Sequence, residues 1–431
     1  MWTTRRVAVT FTAHDRGSAA EVNPPIPNRP AVPPVSTGRT RCGNRHGSTL
    51  GSLWITPHRR GQTDTIATMS RPLVGRPTLL PTLRRLWRDS RRLQLGTDPE
   101  RAVLLELSDP SRARVLDLLD GGHTEAGVIR QAAREGIPSS ETTALLAALR
   151  AAGLVLDQRA IHPRNLGAAG RHRLSTEVAA LAMRRNGTNT PAGILRRRRA
   201  ASVLITGASR LAVPIACALG SAGVGHPWPE VEGVTRVTDS VPAGLIPADA
   251  HRPRGVAAVE ALRRAAPDAV LTPLRPTEAT FAVLAGQSAP APVTALSLAA
   301  RHLPHLAVDS RDGTMIVGPL VRPGVTPCLN CLDLHRRDRD PAWPILAAQL
   351  HTAPDGYSPL AVTTALAGVA YAVAEVLRHI DGGVPRTLGA TIELDEPGRE
   401  RRRQWGHHPN CGCVRTAPTR SFARRQRDPN D

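Results

Sequence analysis

The chain has 431 residues, enough for about two or three domains, and 41% of them are hydrophobic while only 3% are aromatic, so its cores must be built from Ala, Leu and Val. The formal charge of +20 is carried entirely by arginine, with no lysine anywhere, and accompanies an abundance of Gly and Pro. That bias is the mark of a GC-rich coding preference, so the charge by itself does not assign a nucleic-acid partner.

Residues 1–70 alternate Pro, Gly, Ser, Thr and Arg without sustained periodicity, as in "NPPIPNRPAVPPVSTGRTRCGNRHGS". Such a tract buries too little apolar area to offset chain entropy and is expected to be disordered, with Cys42 carrying no role. Met69 would serve as a start codon, which would make the residues before it an over-extension. No charged start, apolar run and small-residue cleavage site follow one another near the N-terminus, so a cytoplasmic location is expected.

From Leu93 the pattern changes. "RLQLG" and "AVLLELS" predict two short strands around "TDPE", and Ser111 is expected to cap a helix over "RARVLDLLDGG". "TEAGVIRQAAREG" and "SSETTALLAALRAAG" each open on Thr or Ser and close on Gly, predicting two more helices, and "LVLD" a closing strand. Two strands, three helices and a strand define a winged helix-turn-helix domain over residues 71–160. Such a domain can take an extended peptide by strand addition, bind DNA, or only pack on its neighbour. "SSETTALLAALRAAG" holds a single arginine, Arg150, which disfavours a helix built for the major groove. Residues 161–199 read as a helix and a basic linker, with Arg196 to Arg199 on a solvated face.

"ASVLITGASRLAVPIACALGSAGVG" runs strand, glycine turn at Gly207, helix, which is the order of a Rossmann-type phosphate site. A working fingerprint needs further glycines, and here Ser209, Arg210 and Ala212 stand instead. Arg210 has the reach to meet a phosphate. "HRPRGVAAVEALRRAAPDAVLTPL" predicts a loop, a helix from about Gly255 and another strand; "HLAVDS" and "TMIVGPLVRPG" predict two strands joined at "RDG". The alternation implies an α/β domain with a parallel-rich, helix-covered sheet. "LAVTTALAGVAYAVAEVL" carries Thr363, Thr364 and Glu375, and so reads as a buried helix, with no membrane role.

Two thiols at Cys328 and Cys331 stand about eighty residues before Cys411 and Cys413. Close pairs distant in sequence suit a structural tetrahedral zinc site, each pair gripping one edge of the metal, with His408 a substitute if Cys413 does not bind. A redox pair and unlinked thiols are the alternatives. No helix N-terminus is evident after Cys328 to activate it, and Cys217 in an apolar helix reads as a buried hydrophobe. "DLHRRDRDPAWP" mixes His335, Asp338 and Asp340 with arginines and reads as a surface charge network, with Trp343 anchoring the loop by packing.

"TMIVGPLVRPGVTPCLNCL", "ALAGVAYAVAEVLRHIDGG" and "HHPNCGC" resemble the ThiF/MoeB/HesA family, whose fold is shared with ubiquitin-activating enzymes, over about Ala200 to Cys413. "CLNCLDLHRRDRDPAWPILAAQL" is similar to an actinobacterial subgroup, labelled cyclodehydratase or leader-peptide-binding, in which a PqqD-like domain precedes the ThiF-like one; "LLDGGHTEAGVI" and "LLAALRAAGLVLD" resemble that PqqD-like part. The resemblance implies a ThiF-like domain over 200–413 with a zinc knuckle, then a disordered tail over 414–431. It also implies ATP-dependent adenylation of a carboxylate, with Arg254 in place of the family's phosphate lysine and Glu232 or Asp239 for the ribose. The family's glycines, its Asn-x-x-Arg-Gln element and its magnesium aspartate have no counterpart here; "LRPTEATF" stands where the aspartate is expected. ATP and magnesium are therefore doubtful and adenylation lost or impaired. The expected role is recognition of a precursor peptide and its presentation to a YcaO-type partner enzyme, by a chain that dimerises with itself. An active adenylyltransferase and a zinc-containing DNA-binding regulator are the alternatives.

Overall fold

The computed structural model describes residues 5–6, 75–98, 102–164, 166–184, 189–286, 291–352 and 359–414. Cys42, Met69, nearly all of the N-terminal tract and the tail from residue 415 lie outside them.

In the first unit, β1 (Arg5–Arg6), β2 (Pro77–Leu79), β3 (Arg85–Trp87), β4 (Arg92–Leu95) and β5 (Val103–Glu106) precede a 3-10 helix over Pro110–Leu118, then α1 (Glu125–Arg134), α2 (Ser139–Ala151) and β6 (Val155–Asp157). The strands pair in the order β1-β5-β4-β3, while β2 and β6 form a separate antiparallel pair. β4 and β5 are the two strands read from the sequence. The helix cap is Asp109, two residues before the expected Ser111, and its carboxylate accepts from the Ser111 amide at 2.7 Å. Pro110, which has no amide to satisfy, takes the first helical position after that cap. Thr124 caps α1 as its sequence predicts. Leu93, Leu95, Val115, Val128, Leu146 and Leu149 form one wholly buried core under the sheet.

Residues 158–200 are not a helix and a linker but four helices: α3 (Gln158–Ile161), α4 (Ala168–Arg173), α5 (Ser175–Met183) and α6 (Pro191–Ala200). Leu174, Val178, Ile194 and Leu195 close a small core of their own. Arg198 overturns the solvated face expected for the arginine run: it is 1% exposed, held by Glu177 and Asp381. The period of α6 turns Arg198 inward with Ile194 and Leu195, and two carboxylates meet it there.

The larger unit contains β7 (Ser202–Thr206), α7 (Ala212–Ser221), β8 (His226–Glu230), α8 (Arg254–Ala265), β9 (Phe281–Ala285), α9 (Ala291–Ala300), β10 (His305–Arg311), β11 (Thr314–Val321), α10 (Leu329–Arg339), α11 (Trp343–Thr352), α12 (Val362–Ile380), β12 (Ala390–Glu396) and β13 (Arg399–Gln404). Its sheet runs β13-β12-β11-β10-β9-β7-β8, parallel from β8 through β10 and antiparallel from there to β13. β9, "FAVLA", is buried at every position, as a strand covered on both faces must be. Phe281, Val283 and Ala285 face α7, α8 and α12; Ala282 and Leu284 face α9 and α10.

The strand expected at "DAVLTPL" is absent: residues 268–274 form neither strand nor helix, and the sheet takes its strand from Phe281 instead. Pro267, Pro273 and Pro276 remove the donors that a central strand needs. β8 keeps Pro227 and Pro229 because it is an edge, bonded only to β7. The buried helix read from its Thr and Glu is α12. Thr364 donates to Asp395 O, and Glu375, 1% exposed, accepts from the Thr387 amide at 2.6 Å and hydroxyl at 2.7 Å. No helix among the described residues is long and apolar enough to cross a membrane.

Candidate functional site

At the carboxyl ends of β7 and β9, α7 leaves towards one face of the sheet and α9 towards the other, which makes the crevice between them a topological switch point. Gly207 turns the chain there with φ +121; a Cβ on it would meet Ala285 O at 2.2 Å, so only glycine fits. The amide two residues on is turned inward. Ser209 N donates to Ala285 O at 3.0 Å, folding the turn back across the end of β9.

The three residues singled out for the phosphate lie around this turn. Arg210 donates to Leu360 O at 2.6 Å and to Thr238 O at 3.4 Å, tying the turn to its neighbours. Arg254, at the start of α8, donates from Nη1 to Ala208 O at 3.0 Å. Its side chain is 9% exposed, Nε and Nη2 have no hydrogen-bond partner, and Asp239 Oδ1 lies 3.9 Å from Nη2. A buried guanidinium with two idle donors is costly unless an anion comes to it. Asp239 is thus beside the site, engaged through Oδ2 by the Arg236 amide at 2.9 Å, whereas Glu232 is exposed in the segment after β8. The sequence pattern did not single out Glu230, the exposed last residue of β8, which the parallel pairing sets opposite Thr206 at the crevice.

The four cysteines converge under α9 and α10. Cys328 and Cys331 are buried, Cys411 and Cys413 half-buried, and all four sulfurs lie within 4.8 Å of one another. Cys328 Sγ is 3.9 Å from Cys331 and 3.6 Å from Cys411, and Cys331 is 3.4 Å from Cys413. Zinc–sulfur bonds of about 2.3 Å in a tetrahedron set sulfurs about 3.8 Å apart, so the donor set fits one such ion. Cys328 is the N-cap of α10, contrary to the expectation that no helix starts there. The hydrogen bond it gives to Cys331 holds that thiol well below the ordinary range and raises its own pKa. Metal binding and redox chemistry both use such a thiolate, but four convergent sulfurs exceed what a redox pair requires. Cys217 is buried, and burial pushes its thiol up to about 11, as for an inert core residue.

His408 is not a substitute ligand. Its Nε2 is 2.7 Å from Asp338 Oδ2 and its Nδ1 accepts from Asn410 N at 3.1 Å, so both nitrogens are committed. His335 bonds Gly406 O at 3.1 Å and lies edge-on to His408. The charged string after the first cysteine pair thus ties down the segment that carries the second. Trp343 anchors as expected: its indole donates to Asp333 at 2.5 Å under the Arg336 guanidinium.

In the first unit, a groove runs between Leu105, Glu106 and Leu107 at the end of β5 and Ile137, Glu141 and Leu145 of the α2 region. Arg112 and Glu141 pair across it at 3.1 Å. Arg150, the lone arginine of α2, is taken up by Glu125 at 2.8 and 2.7 Å.

The sheet order and the switch-point turn define a doubly wound α/β fold on a mixed sheet. No protein-family model matches the chain and no curated protein matches it in sequence. Among solved structures, it is similar to E. coli MccB with MccA, at 14% identity and a TM-score of 0.51 over 79% of this chain and 99% of that one. The microcin C7 biosynthetic enzyme MccB in complex with N-formylated MccA gives 14% and 0.52, over 78% and 99%. The heterocyclase TruD gives 14% and 0.51 over 79% of this chain and 43% of its own length. At these identities the likeness shows the fold.

Proposed function

We propose that the chain is a zinc-bound, ThiF-like protein that recognises a precursor peptide and presents it to a YcaO-type modifying enzyme, with its own adenylation lost or impaired. Zinc on Cys328, Cys331, Cys411 and Cys413 would clip the C-terminal segment to α10 as a structural staple, leaving no open coordination position. The winged-helix unit over residues 71–160 supplies the peptide site through the β5 edge and the adjoining groove. MccB, whose fold this chain shares, is solved with the precursor peptide MccA, and TruD is a heterocyclase; both support a place in peptide modification.

The observation that carries the loss of adenylation is the Ser209 amide. In an open phosphate turn that donor faces the ligand; here it bonds Ala285 O at 3.0 Å, while Arg210 is spent on two carbonyls. A second role, active adenylation, is favoured by Arg254, whose idle Nε and Nη2 would suit a phosphate at the same turn. MccB is also solved with ATP.

ATP–pyrophosphate exchange with candidate precursor peptides separates the two. The first role expects peptide binding without exchange, abolished when residues 71–160 are removed. Exchange above background that disappears in Arg254→Met would replace it with the second.

A further inference from the structure

The sheet of the first unit ends at β3, which pairs with β4 and with no other strand among the described residues. Leu86 stands opposite Gln94 and Trp87 opposite Leu93. The ladder includes Arg84, whose carbonyl accepts from Gly96 N at 2.7 Å, and Arg88, whose amide donates to Arg92 O at 2.9 Å. Bonded positions alternate along an antiparallel strand, so Arg84, Leu86 and Arg88 turn their backbone groups to β4, and Arg85 and Trp87 turn theirs away from it. The outer edge of β3 thus presents the amides and carbonyls of Arg85 and Trp87 to a further backbone.

The side chains along that edge are basic and apolar together. Residues 84–92, "RRLWRDSRR", are all exposed and hold five arginines against one acid, Asp89. Arg85 is taken up by Asp117, and Arg92 by Asp89. Arg88 Nε donates to the neutral side chain of Gln94 at 2.8 Å, and among the described residues no ion pair holds Arg84, Arg88 or Arg91. Arginine alone would only blunt an edge against pairing. Leu86, 41% exposed, and Trp87, 48% exposed, work against that purpose. Leu86 shares its face with Arg84 and Arg88, while Trp87 lies on the other face, beyond the core residue Leu93.

Charge and hydrogen bonding together name the partner. Arginines without an ion pair favour an acidic one. Phosphates accept hydrogen bonds and donate none, so a nucleic-acid backbone would leave the outward carbonyls of Arg85 and Trp87 without a donor. An extended polypeptide supplies donors and acceptors in alternation.

We propose that β3 is a docking edge for an acidic, extended peptide segment of another protein. The segment adds as a further strand at Arg85 and Trp87, sets acidic side chains near Arg84 and Arg88, and lays an apolar one on Trp87. This edge is separate from β5, and its use does not rest on the peptide-recognition role proposed above.

Fluorescence anisotropy on the full-length protein tests this with a labelled peptide of alternating Glu and Val, about ten residues long. The peptide is expected to bind, and to bind about tenfold more weakly both to Arg84→Glu with Arg88→Glu and when its own amides are N-methylated. Trp87→Ala removes the ring; Trp87→Pro also removes one outward amide and leaves the β4 ladder intact. The proline variant is expected to bind about fivefold more weakly than the alanine variant, the worth of one net hydrogen bond. Melting temperatures equal to that of the wild type, expected for exposed positions, show that each variant is folded. No binding of the acidic peptide, or binding indifferent to the arginine pair or to N-methylation, overturns the proposal. A thymidine oligonucleotide that binds more tightly than the peptide, and equally to the alanine and proline variants, overturns it in favour of a nucleic-acid surface.

Discussion

Arg198 and Asp381, 183 residues apart, form a two-pronged ion pair: Nε to Oδ1 at 2.9 Å and Nη2 to Oδ2 at 2.7 Å. Nη1 reaches Glu177 at 2.6 Å and Ala222 O at 2.9 Å, so every nitrogen of the guanidinium is used. Burial works against the charge, but the two carboxylates outweigh it and raise the arginine's pKa. The pair joins α6 to the end of α12, the helix under the large sheet. Arg198→Met is expected to cost about 3–5 kcal/mol in urea denaturation, because it leaves acidic groups unpaired at a buried site. Arg196→Ala, on the exposed side of the same helix, should stay within about 0.5 kcal/mol.

The cysteine cluster predicts about one zinc per purified chain, measurable by elemental analysis. Cys411→Ser should lose that metal and melt several degrees lower, and a strong chelator should bring the wild type to the same point. Wild-type protein free of zinc, with a melting temperature indifferent to Cys411→Ser, would remove the staple.

Gly207 and Gly233 both have positive φ, +121 and +87, but only Gly207 is enclosed, with nothing within 4 Å of a Cβ at Gly233. Gly207→Ala should therefore destabilise by more than about 2 kcal/mol, adding a backbone clash to strain, whereas Gly233→Ala should cost only about 1 kcal/mol of strain. Similar losses from both would mean that the turn is not packed against β9.

His305, 1% exposed in β10, has its pKa pushed down to about 4 by burial, with Nδ1 2.9 Å from Leu303 O. The unfolded chain takes up the proton near 6.5, while the folded chain resists it down to about 4. The unfolded state therefore binds more protons within that window, and stability falls as pH drops through it, by up to about 3 kcal/mol from this group. Above 6.5 the contribution is complete. Denaturation of wild type and His305→Gln at pH 7 and pH 4.5 should show the smaller drop in the variant.

Much of the larger unit was legible in local pattern. The strand–glycine–helix run at Gly207, the two strands around "RDG" and the helix holding Glu375 each declare themselves within about twenty residues, where periodicity and turn chemistry act. The cysteine spacing likewise foretold a four-sulfur cluster. The prolines between Pro267 and Pro276 should have warned against a strand there, since each lacks a donor. No local signal could show that Arg198 is buried, since its partners come from α5 and from the end of α12.

The residue types and their spacing determined which segments become strands and helices, and which thiols can share a metal, because these follow from dihedral preference and the reach of a few bonds. Tertiary structure alone decided that the Ser209 amide turns to Ala285, that Arg254 keeps two idle donors beside Gly207, and that Arg5 and Arg6 lie along β5. Each outcome depends on which distant group supplies the partner for a buried or edge hydrogen-bonding atom, a matter settled by packing rather than by the neighbouring sequence.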